Sequence, residues 1–397
     1  MRALALAIFL GLGLAQVEIP LWHTLGEGGF LEAEAEAFNR SQGRFRILPR
    51  FVGDYRELGV LLAAALRNGT APPVAQVELG FLPVLALEGL AVPLPPPGIP
   101  GLDPALLRLG EVGGRLYGYP VGVSVAVLFY NREAFGARGL SPPKDFAELR
   151  RVARALSTRS AKGLLFSADV YSFAALVLAQ GGRLAQAGRP ALDGEGALRA
   201  LEYLEALKRQ GVLQVRAATE VLAAGADFLR TKAFMALGPS TLLRAVEGRT
   251  RLPFAIGLAP LPLEPQGRVA ASGSVLVAFR HASPEAREGL LAFYRHLAEG
   301  HRQLALARST LYLPLNLEAQ EAWRKEEVGR LLLGQKPRLA PWHQEAPLLL
   351  WAPPLEEALE KALKGNVPPQ KALEEAQARA SMELSLRWAA RSRQAFD

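Results

Sequence analysis

One carboxylate stands out in this 397-residue sequence because of its position after a predicted strand. Glu78 follows the mostly apolar run VAQV (residues 74–77) and precedes Leu79-Gly80-Phe81. In open α/β sheets, ligands bind at the carboxyl ends of the strands. A single carboxylate in such a place is suited to accept hydrogen bonds from ligand hydroxyls. The alternative interpretation is an ordinary strand-end glutamate in solvent.

The motifs of common enzyme classes are absent or occur in the wrong context. Only two of the five histidines are close, His296 and His301, and their i, i+5 spacing does not place two metal ligands on one helix face. The segment GVSVA (residues 122–126) resembles a nucleophile elbow, but a strand-like run follows its serine where a helix is required. Phosphate-binding glycine loops are absent. Glycoside hydrolysis needs two carboxylates across one bond, and among 38 acidic residues such a pair stays an open alternative.

The elements that must position Glu78 alternate between strand and helix. Apolar periodicity predicts strands, helices and a helix-ending Asn68-Gly69 signal in the first part of the chain. In chain order these are a strand at 17–22, a helix at 30–38, a strand at 44–48, a helix at 55–65 and a strand at 74–77. This order predicts an α/β lobe with a largely parallel sheet.

The same alternation continues to the carboxyl terminus without an internal repeat. The Pro-rich stretch at 93–100 can be neither helix interior nor central strand. Further strands are predicted at 125–130 and 275–279, and helices at 145–156, 197–208, 284–297, 355–363 and from 370 towards 388. At about 150 residues per domain, the length predicts two or three domains.

Composition and charge exclude several functional classes. The chain has no cysteine, which rules out disulfides, thiolate metal sites and cysteine nucleophiles. Its net charge of +8 comes from scattered basic residues and not from a basic stripe with interleaved aromatics, so no nucleic-acid partner is expected. Half of the residues are hydrophobic, which is typical of a globular protein.

The first 15 residues are typical of a secretory signal peptide. Met1-Arg2 precedes an apolar run at 3–14, and Gly13-Leu14-Ala15 offers small residues before a cleavage site. The run is shorter than the roughly 20 residues that a membrane-spanning helix requires. We therefore predict export to the periplasm or cell envelope as a soluble protein that begins at Gln16.

Segments distributed along the chain resemble the extracellular solute-binding proteins of ABC importers, most closely their glycerol-3-phosphate-binding branch. The matching segments are residues 19–23, 33–39, 53–55, 69–77, 128–135, 232–240, 272–277, 312–315 and 365–373. Their order and spacing carry the resemblance, which covers nearly all of the chain after residue 15.

The resemblance implies a two-lobe periplasmic-binding-protein fold of type II. Each lobe is expected to be a mostly parallel sheet flanked by helices, with a hinge that closes the cleft on its ligand. We predict that residues 16–121 and 268–320 form lobe 1, and that residues 122–267 and 321–397 form lobe 2. The resemblance implies no catalysis and no cofactor, and it implies that the permease subunits of an ABC transporter are the partner.

The resemblance also implies a set of ligand-binding residues. Glu78 matches a glutamate that accepts hydrogen bonds from glycerol hydroxyls, and Tyr312 matches a tyrosine whose hydroxyl meets phosphate. Ser240 matches a phosphate-binding serine at a helix start, and the Ser272-Gly273 turn matches a backbone phosphate donor. The complete predicted set is Tyr55, Glu78, Ser124, Tyr171, Ser240, Ser272, Gly273, Tyr312 and Trp351.

Two positions depart from the family pattern. The tryptophan pair that walls the glycerol site should fall near residues 167–173, where Tyr171 and Phe173 are the nearest substitutes. The phosphate-binding arginine should precede the helix opened by Pro353-Pro354, but Ala352 occupies that position, beside Trp351. Losing a bidentate arginine contact would cost about 2–4 kcal/mol. An exposed Trp351 could instead stack on a sugar face or a choline headgroup.

We therefore predict a monomeric solute-binding protein that captures a glycerol-phosphate-type polyol, either glycerol-3-phosphate or a glycerophosphodiester. The missing arginine and the aromatic residues favour an alternative within the class, an oligosaccharide-binding protein. A secreted carbohydrate-active hydrolase that depends on Glu78 and an adhesion or structural protein are further alternatives.

Overall fold

The structure is a computed structural model that describes residues 16–247, 251–343 and 346–394. The predicted signal peptide, residues 1–15, lies outside the described residues and stays a prediction. The strands of the described chain are β1 (Val17–His23), β2 (Phe45–Phe51), β3 (Val74–Glu78), β4 (Glu111–Val112), β5 (Arg115–Leu116), β6 (Gly118–Asn131), β7 (Lys162–Ala168), β8 (Ala185–Gln186), β9 (Arg189–Pro190), β10 (Leu213–Ala217), β11 (Ala233–Pro239), β12 (Ile256–Pro260), β13 (Val269–Ala278) and β14 (Leu339–Pro341).

Helices connect these strands and cover the sheet. They are α1 (Phe30–Ser41), α2 (Tyr55–Asn68), α3 (Phe81–Leu87), α4 (Pro104–Leu107), α5 (Arg132–Gly136), α6 (Phe146–Leu156), α7 (Val170–Ala179), α8 (Glu195–Arg209), α9 (Val221–Leu229), α10 (Leu242–Glu247), α11 (Pro284–Leu297), α12 (Gly300–Thr310), α13 (Leu317–Trp323), α14 (Glu327–Leu333), α15 (Ala352–Leu363) and α16 (Pro369–Gln394). Within the described residues, no helix combines the length and apolar character needed to span a bilayer.

Two groups of parallel strands are joined by two long antiparallel strands. β1 pairs in parallel with β2 and β3, and β7 pairs in parallel with β10 and β11. Between these groups β6 and β13 run antiparallel to each other, with β6 pairing to β11 and β13 pairing to β3. Both parallel groups therefore belong to one sheet whose order is β10-β7-β11-β6-β13-β3-β1-β2. This arrangement confirms the predicted α/β class of two mostly parallel lobes with strands crossing between them.

The crossing strand β6 is longer than the strand predicted at 125–130. It begins at Gly118, and its residues are buried almost throughout. Pro120 hides this extension in the sequence, because proline cannot donate a hydrogen bond to a central ladder. The ladder tolerates it at a bulge: Ser274 pairs with Gly122, whereas the next residue, Val275, pairs with Pro120.

Local capping determines where α2 begins and ends. The Asp54 side chain accepts hydrogen bonds from the backbone N–H groups of Arg56 and Glu57, and the Glu57 side chain accepts one from the Asp54 N–H. Gly69 adopts the left-handed conformation after the helix, as the Asn68-Gly69 pair predicts. Because the helix starts at Tyr55, its amino-terminal end carries a predicted ligand residue.

Two large buried apolar clusters form the core. One surrounds β1–β3, α1 and α11, and the other surrounds β7, α6–α8, α15 and α16. Trp323 and Leu332 belong to the first cluster, although the predicted boundaries assign residues 321–397 to lobe 2. The lobe boundaries stay a prediction, and this packing favours grouping α13 and α14 with the first lobe.

Candidate ligand-binding site

A cavity of about 240 Å³ lies beside the crossing strands β6 and β13, at the carboxyl end of β3 and the amino-terminal ends of α2 and α7. Seven of the nine predicted ligand residues line it. The lining residues are Tyr55, Glu78, Ser124, Val170, Tyr171, Pro239, Thr241, Ser272, Gly273, Tyr312, Trp342 and Leu349. The strand-end position of Glu78 therefore coincides with a cavity, as the topology of open α/β sheets predicts.

Glu78 is held by three donors from separate parts of the chain. The Trp342 indole Nε1 donates to Oε1 at 2.8 Å, and the Ser272 hydroxyl donates to the same oxygen. The Gly80 backbone N–H donates to Oε2 at 2.8 Å. A carboxylate offers about four acceptor positions, so one on Oε2 is left to receive a ligand hydroxyl.

Burial and hydrogen bonding act in opposite directions on this carboxylate. Burial raises the pKa of Glu78 above its ordinary value of 4.5, and the hydrogen bonds from Ser272, Trp342 and Gly80 lower that pKa in part. Among the described lining residues Glu78 is the one carboxylate, and none of them is basic. The described lining of this cavity therefore offers one carboxylate and no cationic side chain.

Trp342 is the main site residue that sequence reasoning missed. It follows β14, and its backbone N–H donates to the Ala271 carbonyl on β13 at 2.9 Å. Its ring lies edge-on to Tyr171, with ring centroids 5.8 Å apart and planes 78° apart. Gly80 permits this approach, because a Cβ there would lie 2.2 Å from the Trp342 ring. Trp342 and Tyr171 thus form an aromatic side of the cavity, whereas Phe173, the other expected substitute, is fully buried in the second apolar cluster.

No local signal marks Trp342 as a ligand residue. It is separated from Glu78 by 264 residues in the sequence, and their contact depends on β14 pairing with β13. The one available signal is indirect. Because residues 167–173 contain no tryptophan, the tryptophan pair that the resemblance implies must be replaced by other aromatic residues, which can come from elsewhere in the chain.

Two tyrosine hydroxyls approach each other at the cavity. The hydroxyl oxygens of Tyr55 and Tyr312 are 3.4 Å apart, and the Gln76 side-chain amide donates to Tyr55 at 3.2 Å. Burial raises the pKa of Tyr55 and holds that of Tyr312 well above its usual range. Both side chains are therefore neutral hydroxyls that can donate to a ligand oxygen.

The crossing strands supply the floor of the cavity. Ser272 on β13 pairs with Ser124 on β6, and Gly273 pairs with Val123. Gly273 has a φ of +150°, and a Cβ there would lie 2.3 Å from the Gly122 carbonyl oxygen. A glycine is required at this position because any side chain would separate the two crossing strands.

Two predicted ligand residues do not line the cavity. Ser240 is fully buried, and its hydroxyl donates to the Leu311 carbonyl at 2.9 Å and accepts from the Val125 N–H at 3.4 Å. Trp351 is 1% exposed and packs in the second apolar cluster, so it is not the exposed aromatic residue that the sequence suggested. The apolar run 348–350 before Trp351 is the signal that it belongs to the core.

The described residues also contain no group of three acidic or histidine side chains that could hold a metal ion. Arg56 is exposed at the start of α2, and its guanidinium lies 3.5 Å from the Ala218 carbonyl oxygen, after β10. It is not among the residues that line the cavity.

Comparison with known sequences identifies the family. The family model described as bacterial extracellular solute-binding protein matches residues 34–329. The sn-glycerol-3-phosphate-binding periplasmic protein UgpB of Brucella melitensis is 25% identical over 361 residues, which cover 82% of this chain and 81% of the relative. UgpB of Yersinia pestis is 33% identical over 156 residues, and this match spans about a third of each protein, 34% in both cases.

Solved structures show the same fold at low sequence identity. UgpB from Mycobacterium tuberculosis, solved with glycerophosphocholine, has a TM-score of 0.79 at 18% identity and covers 93% of this chain and 98% of its own. The sugar-binding protein MalE from Xanthomonas citri has a TM-score of 0.79 at 20% identity, with 95% and 99% covered. From the match over most of its length, we conclude that this chain belongs to the bacterial extracellular solute-binding proteins of ABC importers, near their glycerol-3-phosphate-binding branch.

Proposed function

We propose that this protein is the substrate-binding component of an ABC importer and captures a glycerol-phosphate-type polyol, glycerol-3-phosphate or a glycerophosphodiester. The observation that carries the proposal is Glu78, whose three donors leave one acceptor position at a cavity also lined by neutral tyrosine hydroxyls. The similarity to a glycerol-3-phosphate-binding protein over 82% of the chain supports the same ligand class.

Each part of such a ligand has a counterpart in the cavity. A glycerol hydroxyl donates to Oε2 of Glu78, and the carbon chain lies against the aromatic wall of Tyr171 and Trp342. Phosphoryl oxygens accept hydrogen bonds from hydroxyl groups, and the adjoining hydroxyls of Tyr55 and Tyr312 supply a donor at the cavity. Since no lining residue is basic, phosphate is bound by neutral donors in place of the family's arginine.

The protein binds its ligand without chemical turnover. A permease in the membrane receives the ligand, and the protein acts as a monomer in the periplasm or cell envelope after residues 1–15 are removed. Because glycoside hydrolysis requires two carboxylates and the cavity has one, a hydrolase is the weaker alternative. Product formation from an oligosaccharide that is lost in Glu78→Gln would establish that alternative.

An oligosaccharide is the second candidate ligand. The absence of a basic lining residue favours it, and one structural relative, the GacH receptor of Streptomyces glaucescens, was solved with acarbose (TM-score 0.78, 20% identity, 92% of this chain and 97% of that chain covered). The cavity of about 240 Å³ is smaller than the roughly 300–1,000 Å³ typical of ligand pockets, which favours the smaller polyol phosphate.

Titration calorimetry with sn-glycerol-3-phosphate, glycerophosphocholine, maltose and trehalose tests the proposal. We expect one of the two phosphates to bind, and Glu78→Gln to weaken that binding by about 2 kcal/mol, roughly thirtyfold. Glu202→Gln, on an exposed position of α8, is the matched control and should leave affinity unchanged. Tight binding of a sugar with no response to either phosphate would refute a polyol phosphate ligand.

A further inference from the structure

A buried glutamine lies directly behind the cavity without lining it. Gln76 on β3 is fully buried, and its Oε1 accepts hydrogen bonds from the Thr24 backbone N–H at 2.8 Å and from the Thr24 hydroxyl at 3.0 Å. Its Nε2 donates to the Tyr55 hydroxyl at 3.2 Å and to the Val77 carbonyl at 3.4 Å. All four hydrogen-bonding positions of the amide are therefore occupied.

These contacts determine which way the amide faces. A backbone N–H can only donate, so the group next to Thr24 must be the Gln76 oxygen, and the nitrogen must face Tyr55. The Tyr55 oxygen consequently accepts from Gln76, and its own proton is directed away from that amide. Two hydroxyl oxygens are in position to accept it: that of Tyr312, 3.4 Å away, which lines the cavity, and that of Thr24, which donates its own proton to Gln76. The route relevant to the ligand is the one through Tyr312. The Tyr312 proton is then available to the cavity that both tyrosines line.

The oxygen of the amide has a structural role, because it accepts from the Thr24 backbone N–H and hydroxyl, whereas its nitrogen contacts a side chain that lines the cavity. The neighbouring strand residues Ala75 and Val77 are apolar and fully buried, and burying a polar group is costly unless its hydrogen bonds are satisfied. The polar contacts of Gln76 instead connect the β1–α1 loop at Thr24 to a side chain of the ligand cavity.

We propose that Gln76 is a positioning residue that sets the direction of proton donation along Tyr55 and Tyr312, so that the tyrosines present a hydrogen-bond donor to a proton-free oxygen of the ligand. Glu78 can only accept, and it takes a ligand hydroxyl. The cavity is thereby specific for a molecule that carries a hydroxyl and, elsewhere, proton-free oxygens such as those of a phosphoryl group. The identification of this ligand class rests on the proposed function.

The first test removes the amide while keeping the size of the side chain. We expect Gln76→Met to weaken sn-glycerol-3-phosphate binding about tenfold, the effect of one misdirected hydrogen bond. Tyr55→Phe should have a similar effect, and the double variant should be no weaker than the weaker single variant. If Gln76→Met weakens binding equally in the presence and absence of the Tyr55 hydroxyl, Gln76 does not act through Tyr55 and the proposal is wrong.

The second test needs no ligand. The eight tyrosines can be labelled with ¹³C at the ring carbon that bears the hydroxyl, and the signals of Tyr55 and Tyr312 assigned with their phenylalanine variants. Gln76→Met should shift these two signals and leave the others in place. Gln76→Glu keeps the shape of the side chain but replaces the amide nitrogen with a carboxylate oxygen, so Tyr55 becomes the donor to residue 76. The Tyr55 signal should therefore shift further, towards the position of a tyrosine that donates a strong hydrogen bond. Unchanged Tyr55 and Tyr312 signals in both variants would overturn the proposal.

The two tests separate this inference from the proposed function. If the wild-type protein does not bind sn-glycerol-3-phosphate but its tyrosine signals respond to Gln76 substitutions, the ligand assignment is wrong and the positioning role of Gln76 stands. If it binds this phosphate and the signals do not respond, the ligand assignment stands and the role of Gln76 is refuted.

Discussion

Glu78 combines two properties that a carboxylate rarely has at once: partial burial and an unfilled acceptor position. Its donors Ser272, Trp342 and Gly80 come from distant segments and leave one position on Oε2. Burial nevertheless dominates and raises its pKa above 4.5. The carboxyl is therefore protonated at a higher pH than an exposed glutamate, and protonation removes the acceptor that the proposed ligand would use.

This shift predicts a pH dependence of ligand binding. Ligand affinity should be highest at pH values above the raised pKa of Glu78. It should fall as pH decreases through that pKa, by up to about tenfold per pH unit. The fall should begin at a higher pH than for a glutamate with the ordinary value of 4.5. Calorimetric titrations between pH 4 and 8, interpreted as the ratio of wild-type to Glu78→Gln affinity, measure this dependence.

Glu78→Gln is compared at each pH because a phosphate ligand also titrates in this range. That contribution is common to both proteins and cancels in the ratio. A ratio that stays constant across the range would show that the ionised Glu78 carboxylate does not contact the ligand.

The raised pKa affects folding stability in the opposite direction. The neutral carboxyl contributes to the free energy of unfolding below pH 4.5, and this contribution is lost as pH rises through the pKa of the folded state.

At the scale of the element, the amino-terminal end of α2 places a capped helix start at the candidate ligand site. Asp54 and Glu57 cap this end reciprocally, and Tyr55 in the first helical position lines the cavity. α6 begins in a similar way, with the Asp145 side chain accepting from the Glu148 N–H, but its first turn does not line the cavity. The two caps should therefore contribute similarly to the free energy of unfolding, but only the α2 cap adjoins a residue that lines the cavity.

We expect Asp54→Ala and Asp145→Ala each to lower the free energy of unfolding by about 1 kcal/mol, the typical effect of losing an N-cap. Asp54→Ala should also weaken ligand binding several-fold, because the turn that carries Tyr55 loosens. Urea unfolding measures the first quantity and titration calorimetry the second.

The comparison between these two variants decides the outcome. Equal losses of stability with a change in affinity only for Asp54→Ala support positioning of Tyr55 by the cap. Equal changes in affinity for both variants would mean that binding follows global stability and not the α2 cap.

At the scale of the whole molecule, β6 and β13 connect the two groups of parallel strands, and both pass beside the ligand cavity. Tyr55 and Glu78 come from the first group and its helices, whereas Tyr171 and Thr241 follow strands of the second. A ligand bound in this candidate site would therefore contact both groups, and we expect it to stabilise their arrangement.

This geometry predicts how ligand changes the stability of the protein. At a ligand concentration of one hundred times Kd, the free energy of unfolding should rise by about 2.7 kcal/mol for a single site. Denaturant unfolding with and without the bound phosphate measures the change, which should be much smaller for Glu78→Gln at the same concentration. An equal rise in both proteins would place the stabilising site elsewhere.

The amino-acid pattern was sufficient for the alternating strands and helices up to β3 and for several later helices, and the family resemblance was sufficient for the two-lobe class. Strand alternation, helical periodicity and the Asn68-Gly69 ending depend on neighbours a few residues apart, so α2, β3 and α11 could be predicted from their own segments. The family resemblance then indicated Tyr55, Glu78 and Tyr312, which the structure brings to one cavity.

Contacts between distant segments could not be obtained in this way. Trp342 reaches Glu78 across 264 residues because β14 pairs with β13 and Gly80 has no side chain in its path. The buried hydrogen bond from the Ser240 hydroxyl to the Leu311 carbonyl and the burial of Trp351 likewise depend on which surfaces pack together. Residue type and spacing carry local conformational preference, whereas burial and pairing between segments are properties of the assembled sheet and its helices.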